Sequence, residues 1–431
     1  MDITVKEITH VCTANKYIYT DEKGRSKLDI ALLITDLLAE FTFKTYKETE
    51  EVLIYKDGVY QLDGEICIKE ECQHRIGVSA VLTTHAVNEI IGHIRRSTYV
   101  SREAFNREKV IINVQNGLLH TFTWELSPHT PDFLSTIRIP VKYNPAAQAR
   151  QALKFFQEVH HPEDIPIVQE LFGNCLIFDN SFQKAFLYVG DGENGKSTEL
   201  NLLKTFIGQN NCTNVSWQSL EMNRFAKSAL ENKLINTFAD LPSQGMNMTT
   251  AFKMLTGGDP IGTEKKFKDQ YSFINYAKLI FSANKPPKIS DEDSYAFWRR
   301  WIILNFPNQF PDGKKDPKLL EKITTGEELS GLLNWGLAGL ARLRQQQKYS
   351  YVKTVEATTD FYLRAADPVY AFLQDRCVAE SDPDYFEDKE EFFGAFIQYC
   401  QENKLPTLKP NAFARSLQNQ TVVRVRPFRH R

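Results

Sequence analysis

The stretch Phe186-Leu187-Tyr188-Val189-Gly190-Asp191-Gly192-Glu193-Asn194-Gly195-Lys196-Ser197 decides the fold class of this chain. Its first four residues have the length and apolar composition of a buried strand, and the next eight match G-x-x-x-x-G-K-S/T at every fixed position. Leu200, Leu203 and Ile207 then recur with helical spacing, and Gly208 can end that helix. The order of strand, glycine-rich loop and helix predicts a phosphate-binding loop (P-loop) in an α/β fold.

The spacing within this loop suits phosphate chemistry. Its glycines let the backbone curl so that N–H groups point at phosphate oxygens, and the following helix N-terminus adds a positive dipole end. We expect Lys196 to reach the β- and γ-phosphates and the Ser197 hydroxyl to ligate Mg²⁺. The residues predicted to bind ATP are Gly190, Asp191, Gly192, Glu193, Asn194, Gly195, Lys196, Ser197 and Thr198. The alternative, a chance match in a glycine-rich turn, is disfavoured by the flanking strand and helix.

A second strand carries the candidate metal-binding acid. Leu234–Asp240 is mostly apolar and ends in a carboxylate, at the position where a P-loop ATPase holds the residue that organises Mg²⁺. Many such motors place two acids here, but Ala239 precedes Asp240, so the identity of the water-activating base stays open. The alternative is an aspartate that only ends a strand, and the P-loop upstream disfavours it.

A third strand is predicted over Lys278–Asn284, and Asn284 could hydrogen-bond the γ-phosphate or the attacking water. Lys196 and Asp240 are 44 residues apart, as are Asp240 and Asn284. Each interval leaves room for a crossover that contains a helix, which parallel strands require. We therefore expect a mainly parallel sheet.

Two adjacent arginines, Arg299 and Arg300, precede a fourth apolar strand at Trp301–Phe306. One hypothesis is an arginine finger that reaches the γ-phosphate held by a neighbouring subunit, an interaction worth about 10³–10⁵ in rate. It implies a closed ring, because such a contact joins different surfaces of two subunits. The alternative is a surface ion pair with Asp291 or Asp293.

Composition sets the class of protein. The 431 residues suffice for two to four domains, and 42% hydrophobic with 25% charged residues is typical of a globular protein. The sequence has no signal-peptide stretch and no apolar run long enough to cross a bilayer, so we expect no membrane partner and a cytoplasmic setting (the host cytoplasm for a viral protein). The net charge is −2, but Lys404–Arg431 contains seven Lys or Arg and no acid, which suits either phosphate contacts or a solvated tail.

The first 145 residues predict a mixed α/β region. Helical spacing marks Ser26–Phe41 and Ala86–Arg96. The dipeptides Asp57-Gly58 and Asn116-Gly117 lie between apolar runs and predict two hairpins. A further helix is expected over Ala146–Val159.

Taken together, the motifs resemble superfamily 3 helicases, specifically the helicase part of phage, plasmid and poxvirus-type primase–helicases. The resemblance rests on the P-loop, Ala239-Asp240-Leu241-Pro242, Leu255-Thr256-Gly257-Gly258-Asp259, Lys278–Asn284 and Arg299-Arg300, and it extends to Asn116–Pro145 and to the chain from Asp367 onward. It implies a P-loop AAA+-type motor. The implied domains are an N-terminal α/β region (1–145), a helical collar (146–180), the ATPase motor (181–310), a helical segment (311–365) and a C-terminal winged-helix-like DNA-binding domain (366–431).

The resemblance also assigns roles to residues. Lys196 and Ser197 match the Walker A pair, Asp240 the second acidic position of Walker B, and Asn284 the sensor asparagine. Arg300 is the first choice for the arginine finger, and Arg299 the second.

A DNA-binding β-hairpin is implied between the second and third strands, with Lys266 and Phe267 at its tip. Cations and an aromatic ring suit the phosphates and bases of single-stranded DNA. An exposed basic turn is the alternative. The residues implied to contact DNA are Lys265, Lys266, Phe267 and Lys268 of the hairpin and Arg424 and Arg426 of the C-terminal domain.

The resemblance implies an ATP- and Mg²⁺-dependent replicative DNA helicase of a virus, plasmid or integrated mobile element. It would form a homo-oligomeric ring, expected to be hexameric, and translocate 3′→5′ on single-stranded or forked DNA, with a primase or polymerase as a further partner. The alternative is an ATP-gated, origin-binding initiator or scaffold that recruits a polymerase without processive unwinding. Either function is compatible with a chain that is one piece of a longer primase–helicase.

Overall fold

The computed structural model contains two compact units. The described residues are 15–242, 248–264, 270–289, 294–311, 313, 315–378, 387–403 and 405–418. The first unit extends to Leu119 and includes Glu125–Arg138, whereas the second contains His120–Trp124 and the chain from Ile139 onward. Within the described residues, no helix is both long and apolar enough to cross a membrane. The finer division into five domains stays a prediction.

The first unit combines short sheets with three helices, α1 (Ile30–Glu40), α2 (Gly64–Ile76) and α3 (Thr84–Ser97). Its strands are β1 (Ile18–Thr20), β2 (Ser26–Leu28), β3 (Phe43–Tyr46), β4 (Val52–Lys56), β5 (Val59–Gln61), β6 (Tyr99–Val100), β7 (Ile111–Val114), β8 (Gly117–His120) and β9 (Leu126–Ser127). They form a β1-β2 hairpin, a β5-β4-β3-β6 sheet and a β7-β8-β9 sheet. Leu37, Ile68 and Ile90, one from each helix, share a buried core with Phe43 and Ile54. The mixed α/β prediction for this region is confirmed.

Both predicted hairpins are present. β4 and β5 pair antiparallel around Asp57-Gly58, where the φ angles are 52° and 82°, as the tight turns favoured in hairpins require. β7 and β8 are neighbours in their sheet across Asn116-Gly117. The preference of these dipeptides for tight turns was therefore enough to predict both hairpins.

One helix prediction in this unit is confirmed and one needs a correction. Ala86–Arg96 lies within α3, but the helix expected from Ser26 begins at Ile30. Ser26–Leu28 instead pairs with β1, and the Asp29 side chain caps the helix by accepting a hydrogen bond from an amide of its first turn. Helical spacing alone cannot separate a capped helix from a short strand that precedes it.

The second unit is larger and mostly helical around one sheet. Its helices are α4 (Arg150–Val159), α5 (Ile165–Asn174), α6 (Lys196–Ile207), α7 (Trp217–Met222), α8 (Thr250–Gly257), α9 (Tyr295–Trp298), α10 (Leu319–Ile323), α11 (Gly326–Gln346), α12 (Val355–Ala366), α13 (Pro368–Arg376), α14 (Lys389–Glu402) and α15 (Pro410–Gln418). Its strands are β10 (Ala185–Val189), β11 (Cys212–Thr213), β12 (Ile235–Phe238), β13 (Pro260–Thr263), β14 (Tyr271–Ile274), β15 (Lys278–Ala283) and β16 (Trp301–Asn305).

Five of these strands form one parallel sheet in the order β11-β12-β15-β10-β16. The four strands predicted from sequence are therefore confirmed, and so is the parallel sheet. The two-residue edge strand β11 was not predicted, because it is too short for any periodicity. The order places β15 between β10 and β12, so the ends of all three meet at one edge of the sheet.

Both faces of this sheet are buried, as parallel sheets require. Alternate residues of β10 point to opposite sides. Leu187 belongs to a core that contains Trp217, Phe252 and Trp301, and the Phe252 and Trp301 rings stack with centroids 4.6 Å apart. The next residue, Tyr188, points to the other side, where its hydroxyl donates to a Glu199 carboxylate oxygen at 2.8 Å. The sheet is thus the middle layer of a three-layer α/β arrangement.

The C-terminal helices α13, α14 and α15 share a small core of their own around Phe372, Phe396 and Phe413. Lys288 joins them to the sheet region, because its Nζ lies 2.5 Å from Asp367 Oδ2 and 3.0 Å from Ser416 Oγ. Among the described residues after 366, no strand accompanies the three helices. The wing of a winged-helix domain therefore stays a prediction, and residues 419–431 lie outside the described chain.

Helices α5 and α11 approach closely enough to require glycine. A Cβ atom on Gly173 would collide with the Gly336 carbonyl oxygen and lie 2.7 Å from the Leu340 nitrogen. We expect Gly173→Ala to lower the free energy of unfolding by about 2 kcal/mol, because neither backbone can yield without shifting a helix. Gly394→Ala is the matched control, since nothing lies within 4 Å of the added atom and helix propensity favours alanine.

Urea unfolding followed by tryptophan fluorescence measures the Gly173 effect selectively, because all five tryptophans lie in the second unit. Equal unfolding midpoints for Gly173→Ala and Gly394→Ala would contradict the packing derived for α5 and α11.

Candidate nucleotide-binding site

The loop between β10 and α6 has the backbone conformation that its glycines predict. Gly192 and Gly195 have φ angles of 85° and 91°, in the left-handed region that glycine adopts without strain. Gly195 is the N-cap of α6, which begins at Lys196. The N-terminus of α6 and its free amide groups therefore point toward the loop, which is the geometry that binds phosphate in other proteins.

Close packing also requires glycine in this loop. A Cβ atom on Gly195 would lie 2.6 Å from Val159 Cγ1 and 3.3 Å from Phe155 Cε2, both on α4. A Cβ atom on Gly190 would lie 2.8 Å from the Phe306 carbonyl oxygen, just after β16. The loop is therefore held between α4 and the end of a neighbouring strand.

The Lys196 ammonium group lies inside the curl of the loop. Its Nζ donates to the Gly190 carbonyl at 2.5 Å, to Asn284 Oδ1 at 3.1 Å and to Asn194 Oδ1 at 3.2 Å. Lys196 is only 6% exposed, and this burial lowers the pKa of its amine, against the attraction of Asp191 and Asp240. A buried ammonium with neutral oxygen partners is well suited to receive an anion.

Asp240 and Asn284 lie at the same edge of the sheet as the loop. Asp240 follows β12 with a φ of 62°, and its amide donates to Ser282 Oγ of β15 at 3.3 Å. Asn284 follows β15 directly. The loop, Asp240 and Asn284 line one cavity of about 870 Å³, a volume in the range of small-molecule sites. The structure thus brings together the three motifs that the sequence separates by 44 residues each.

The oxygen donors in this cavity fit a magnesium ion. The Ser197 hydroxyl and the Asp240 carboxylate both line it and are exposed to it. Among the described residues, no group of three or more His, Cys, Asp or Glu side chains could form a metal cage. Mg²⁺ keeps several waters and takes only one or two protein ligands beside substrate phosphates, so Ser197 and Asp240 suffice for this chemistry.

The two arginines lie at the opposite edge of the sheet. The Ala185 amide at the start of β10 donates to the Arg300 carbonyl at 2.8 Å. Because β10 and β16 run parallel, both arginines lie at the end of β10 away from the loop, and five strand residues span roughly 16 Å. Within one chain, these guanidinium groups are therefore remote from Lys196.

Arg300 is buried among few compensating groups. It is 8% exposed, its guanidinium donates to the Ala296 carbonyl, and its Nε has no hydrogen-bond partner. Burial lowers the pKa of Arg300, the neighbouring Arg299 lowers it further, and Asp259 opposes both. Arg299 is less buried and donates to Gln183 Oε1 at 2.5 Å. The alternative partners Asp291 and Asp293 lie outside the described residues.

The strands of the predicted DNA-binding hairpin are present. β13 and β14 pair antiparallel, with Thr263 opposite Tyr271, and they lie between Asp240 and Lys278 in the chain. The predicted DNA contacts Lys265, Lys266, Phe267 and Lys268 lie outside the described residues, as do Arg424 and Arg426. Their roles stay predictions.

Sequence reasoning missed several residues that shape the site. Phe155 and Val159 were assigned only to a helix, although their spacing of four marks one helical face. Lys315 pairs with Glu193 of the loop at 2.6 Å, and the Phe310 amide donates to the Glu193 carbonyl at 2.8 Å. No sequence pattern signals either of these contacts, because they join segments more than a hundred residues apart.

Two family models match parts of the chain. The model described as "D5 N terminal like" matches residues 43–161, and a family of unknown function (DUF5906) matches residues 188–300. The first match includes Asn116–Pro145, on which part of the resemblance rests. The second includes the whole loop, Asp240, Asn284 and Arg300.

Comparisons with individual proteins and solved structures give distant relatives. A protein of Acanthamoeba polyphaga mimivirus described as a "putative helicase" is 20% identical over 314 residues, which cover 69% of this chain. The chain spans about a third (32%) of that relative's length. Two apo structures of the NrS-1 C terminal region each cover 90% of this chain and 85% of the other, at 13% identity and TM-scores of 0.53 and 0.52. At this identity the structural likeness shows a shared fold.

The contact between Gly195 and α4 predicts a selective effect of substitution. Gly195→Ala meets both the positive φ and the Val159 side chain, whereas Gly192→Ala meets the positive φ alone, with nothing within 4 Å of its Cβ. A left-handed φ costs an alanine about 1–2 kcal/mol, and overpacking adds about 1–3 kcal/mol. We therefore expect Gly195→Ala to be the more destabilised variant in urea unfolding without ligand. Equal losses for the two variants would mean that α4 does not press on the loop.

Proposed function

We propose that this chain is the ATP-hydrolysing motor of a DNA helicase that acts in replication. The observation that carries the proposal is the convergence of the glycine-rich loop, Asp240 and Asn284 on one cavity. The helicase-type relative and the D5-like match support this class of function. The relation to superfamily 3, the ring and the direction of movement belong to the proposal alone.

Each residue around the cavity would have its own role in phosphoryl transfer. Lys196 would compensate charge on the β- and γ-phosphates, and Ser197 with Asp240 would hold Mg²⁺, which neutralises phosphate charge when bound. Asn284 already accepts a hydrogen bond from Lys196. If Lys196 moved to follow a change at the γ-phosphate, Asn284 would lose that hydrogen bond, which would let it sense the phosphate. Ala239 occupies the other Walker B position, so the water-activating base would be Asp240 itself or a group from elsewhere.

The arginines would complete the site of a neighbouring subunit. Arg299 and Arg300 lie at the edge of the sheet remote from their own loop, so an arginine finger at either position would serve a nucleotide bound by another copy. This arrangement supports a homo-oligomeric ring, in which each interface joins one loop edge to one arginine edge. We propose a hexamer.

Movement on DNA would come from the β13–β14 hairpin. It follows α8 and leads directly into β15, the strand that ends at Asn284 in the nucleotide cavity. Lys265, Lys266, Phe267 and Lys268 would grip one DNA strand, and Arg424 and Arg426 would add phosphate contacts. Translocation 3′→5′ on single-stranded or forked DNA, with a primase or polymerase as partner, completes the proposal.

Displacement of a labelled strand from forked DNA, with ATP and Mg²⁺, tests the function directly. Lys196→Ala should lower the rate about 10²-fold or more, because transition-state charge loses its main cation. Lys266→Ala should still bind ATP but displace no strand. Chelation of Mg²⁺ should stop wild-type activity.

Val78→Ala, at a fully exposed side chain of the first unit, is the control for this assay. If wild type hydrolyses ATP and binds DNA but displaces nothing at any salt concentration, the helicase proposal is wrong. The initiator or scaffold alternative would then be favoured.

Mixing two inactive variants tests the arginine finger. Lys196→Ala and Arg300→Ala should each lack ATPase activity. If Arg300 acts in trans, their mixture should recover up to about a quarter of the wild-type rate, because about one interface in four pairs an intact Lys196 with an intact Arg300. ATPase activity and thermal unfolding are measured for each variant.

Arg299→Ala is the matched control in the mixing experiment and should retain activity if Arg300 is the finger. Recovery by Lys196→Ala with Arg299→Ala, but not with Arg300→Ala, would move the role to Arg299. No recovery in either mixture, with both variants folded and assembled, would exclude a trans-acting arginine at these positions.

A further inference from the structure

The short segment that follows Asn284 connects the nucleotide cavity to the C-terminal helices. Asn284 lines the cavity directly after β15, and its Oδ1 accepts a hydrogen bond from Lys196 at 3.1 Å. The chain then runs through residues 285–287 to Lys288. Four residues span at most roughly 14 Å when fully extended, so Lys288 is never far from Asn284.

This segment is stiff and is held in place along its length. Pro286 and Pro287 are both buried. Their rings fix φ at about −65°, and each proline also restricts the residue before it. The Tyr362 hydroxyl donates to the Pro287 carbonyl at 2.8 Å, and Tyr362 is fully buried in the core on one face of the parallel sheet. A displacement of one end of the segment is therefore passed on to the other end.

Lys288 ends the segment in a polar cluster with two buried partners. Its Nζ lies 2.5 Å from Asp367 Oδ2 and 3.0 Å from Ser416 Oγ. The Ser416 hydroxyl donates to the same Asp367 oxygen at 2.5 Å, and both Asp367 and Ser416 are buried. Hydrogen bonds to a charged group are stronger than neutral ones, and more so away from water. The cluster therefore fixes the end of the segment.

The Asp367 carboxylate joins Lys288 to two of the C-terminal helices. Its Oδ1 accepts the Val369 amide at 3.0 Å and so caps α13, whereas its Oδ2 binds Lys288 and Ser416 of α15. Helices α13, α14 and α15 share one core. The position of Lys288 is therefore set by the packing of three helices.

The attraction of Asp367 also reaches the other end of the segment, next to Asn284. Burial lowers the pKa of the Lys285 amine, the neighbouring Lys288 lowers it further, and Asp367 opposes both. Lys288 makes the direct contact with the carboxylate, and Lys285 is drawn toward it electrostatically. One carboxylate of the C-terminal helices thus attracts both ends of the segment.

We propose that Lys288 is a positioning residue, which holds Asn284 in place for the γ-phosphate by tying its segment to the C-terminal helices. The inference rests on the proposed nucleotide site, because the position of Asn284 matters only if it contacts the γ-phosphate. A hydrogen bond is lost when one partner moves by about 1 Å, and release of Lys288 would permit such a shift. ADP has no γ-phosphate, so its binding should not depend on Lys288.

Calorimetric titration of the full chain with Mg²⁺ and two probes tests this role. The probes are ADP and the β,γ-imido analogue of ATP, and the measured quantity is the preference for the analogue, the ratio of the two dissociation constants. We expect Lys288→Met to lower this preference about fivefold, through weaker binding of the analogue at unchanged ADP affinity. Asn284→Ala should lower it at least as far. Lys288→Arg should keep most of it, because a guanidinium group can still pair with Asp367.

Arg376→Met is the matched control for the C-terminal helices. Arg376 Nη2 lies 2.6 Å from Glu402 Oε2 and so joins α13 to α14 rather than to the segment. The Lys288 and Arg376 side chains are 42% and 58% exposed, so both variants should fold, and thermal unfolding checks this. An equal loss of preference in both variants would mean that the helices merely stabilise the chain, and the inference would fail.

Asp367→Asn tests the partner of Lys288. Asparagine can still cap α13 but no longer carries the charge that Lys288 binds. This variant should lower the preference about as far as Lys288→Met, and the double variant should lower it no further, because both changes remove the same contact. Additive effects in the double variant would show that the two residues act independently and would overturn the inference.

Failure of the inference and failure of the proposed function give different results. If Asn284→Ala abolishes the preference and Lys288→Met does not, Asn284 senses the γ-phosphate without Lys288, and the inference alone fails. If wild type binds both probes equally, Asn284 does not sense the γ-phosphate, and the inference fails together with that role. If wild type binds neither probe, the nucleotide site itself is wrong, and the proposed function fails with it.

Discussion

The insertion of β15 between β10 and β12 is the constraint on which the rest of the site depends. Parallel pairing aligns the carboxyl ends of the three strands, so the loop, Asp240 and Asn284 meet without any long-range side-chain network to gather them. The hydrogen bond from Lys196 Nζ to Asn284 Oδ1 at 3.1 Å is the direct result of that alignment. Because the sheet is buried on both faces, moving one of these groups would require moving a strand through a packed core.

Rigidity at the loop comes from a second source, the packing of α4 on Gly195. A phosphate-binding loop made of glycines has high conformational entropy when unconstrained. Here Val159 and Phe155 press on one side and the end of β16 on the other, while the His160–Glu199 contact ties α4 to α6. The free energy of tertiary packing thus offsets the entropic cost of ordering the loop before any ligand binds.

The sequence predicted the parts of the fold that have local signals. The motif at Gly190–Ser197, the apolar strands and the turn dipeptides each specify their own conformation through φ preference or periodicity. The packing of α4 on the loop and the Glu193–Lys315 pair had no such signal, because α4 and residues 308–320 reach the loop only after the chain has folded. The start of α1 was placed wrongly for a related reason. Pairing of Ser26–Leu28 with β1 is a tertiary choice that helical spacing does not encode.

The two edges of the sheet at which the strands end each hold a buried cation. The loop edge has a buried ammonium whose partners are neutral oxygens, and the other edge has a buried guanidinium whose Nε has no partner. Leaving a buried charged donor without a partner costs about 1–3 kcal/mol or more, so such a group persists where another state of the molecule satisfies it. A neighbouring subunit that presents an anion at its loop edge would satisfy Arg300. The buried Nε of Arg300 is therefore the strongest physical argument for the proposed contact between two copies of the chain.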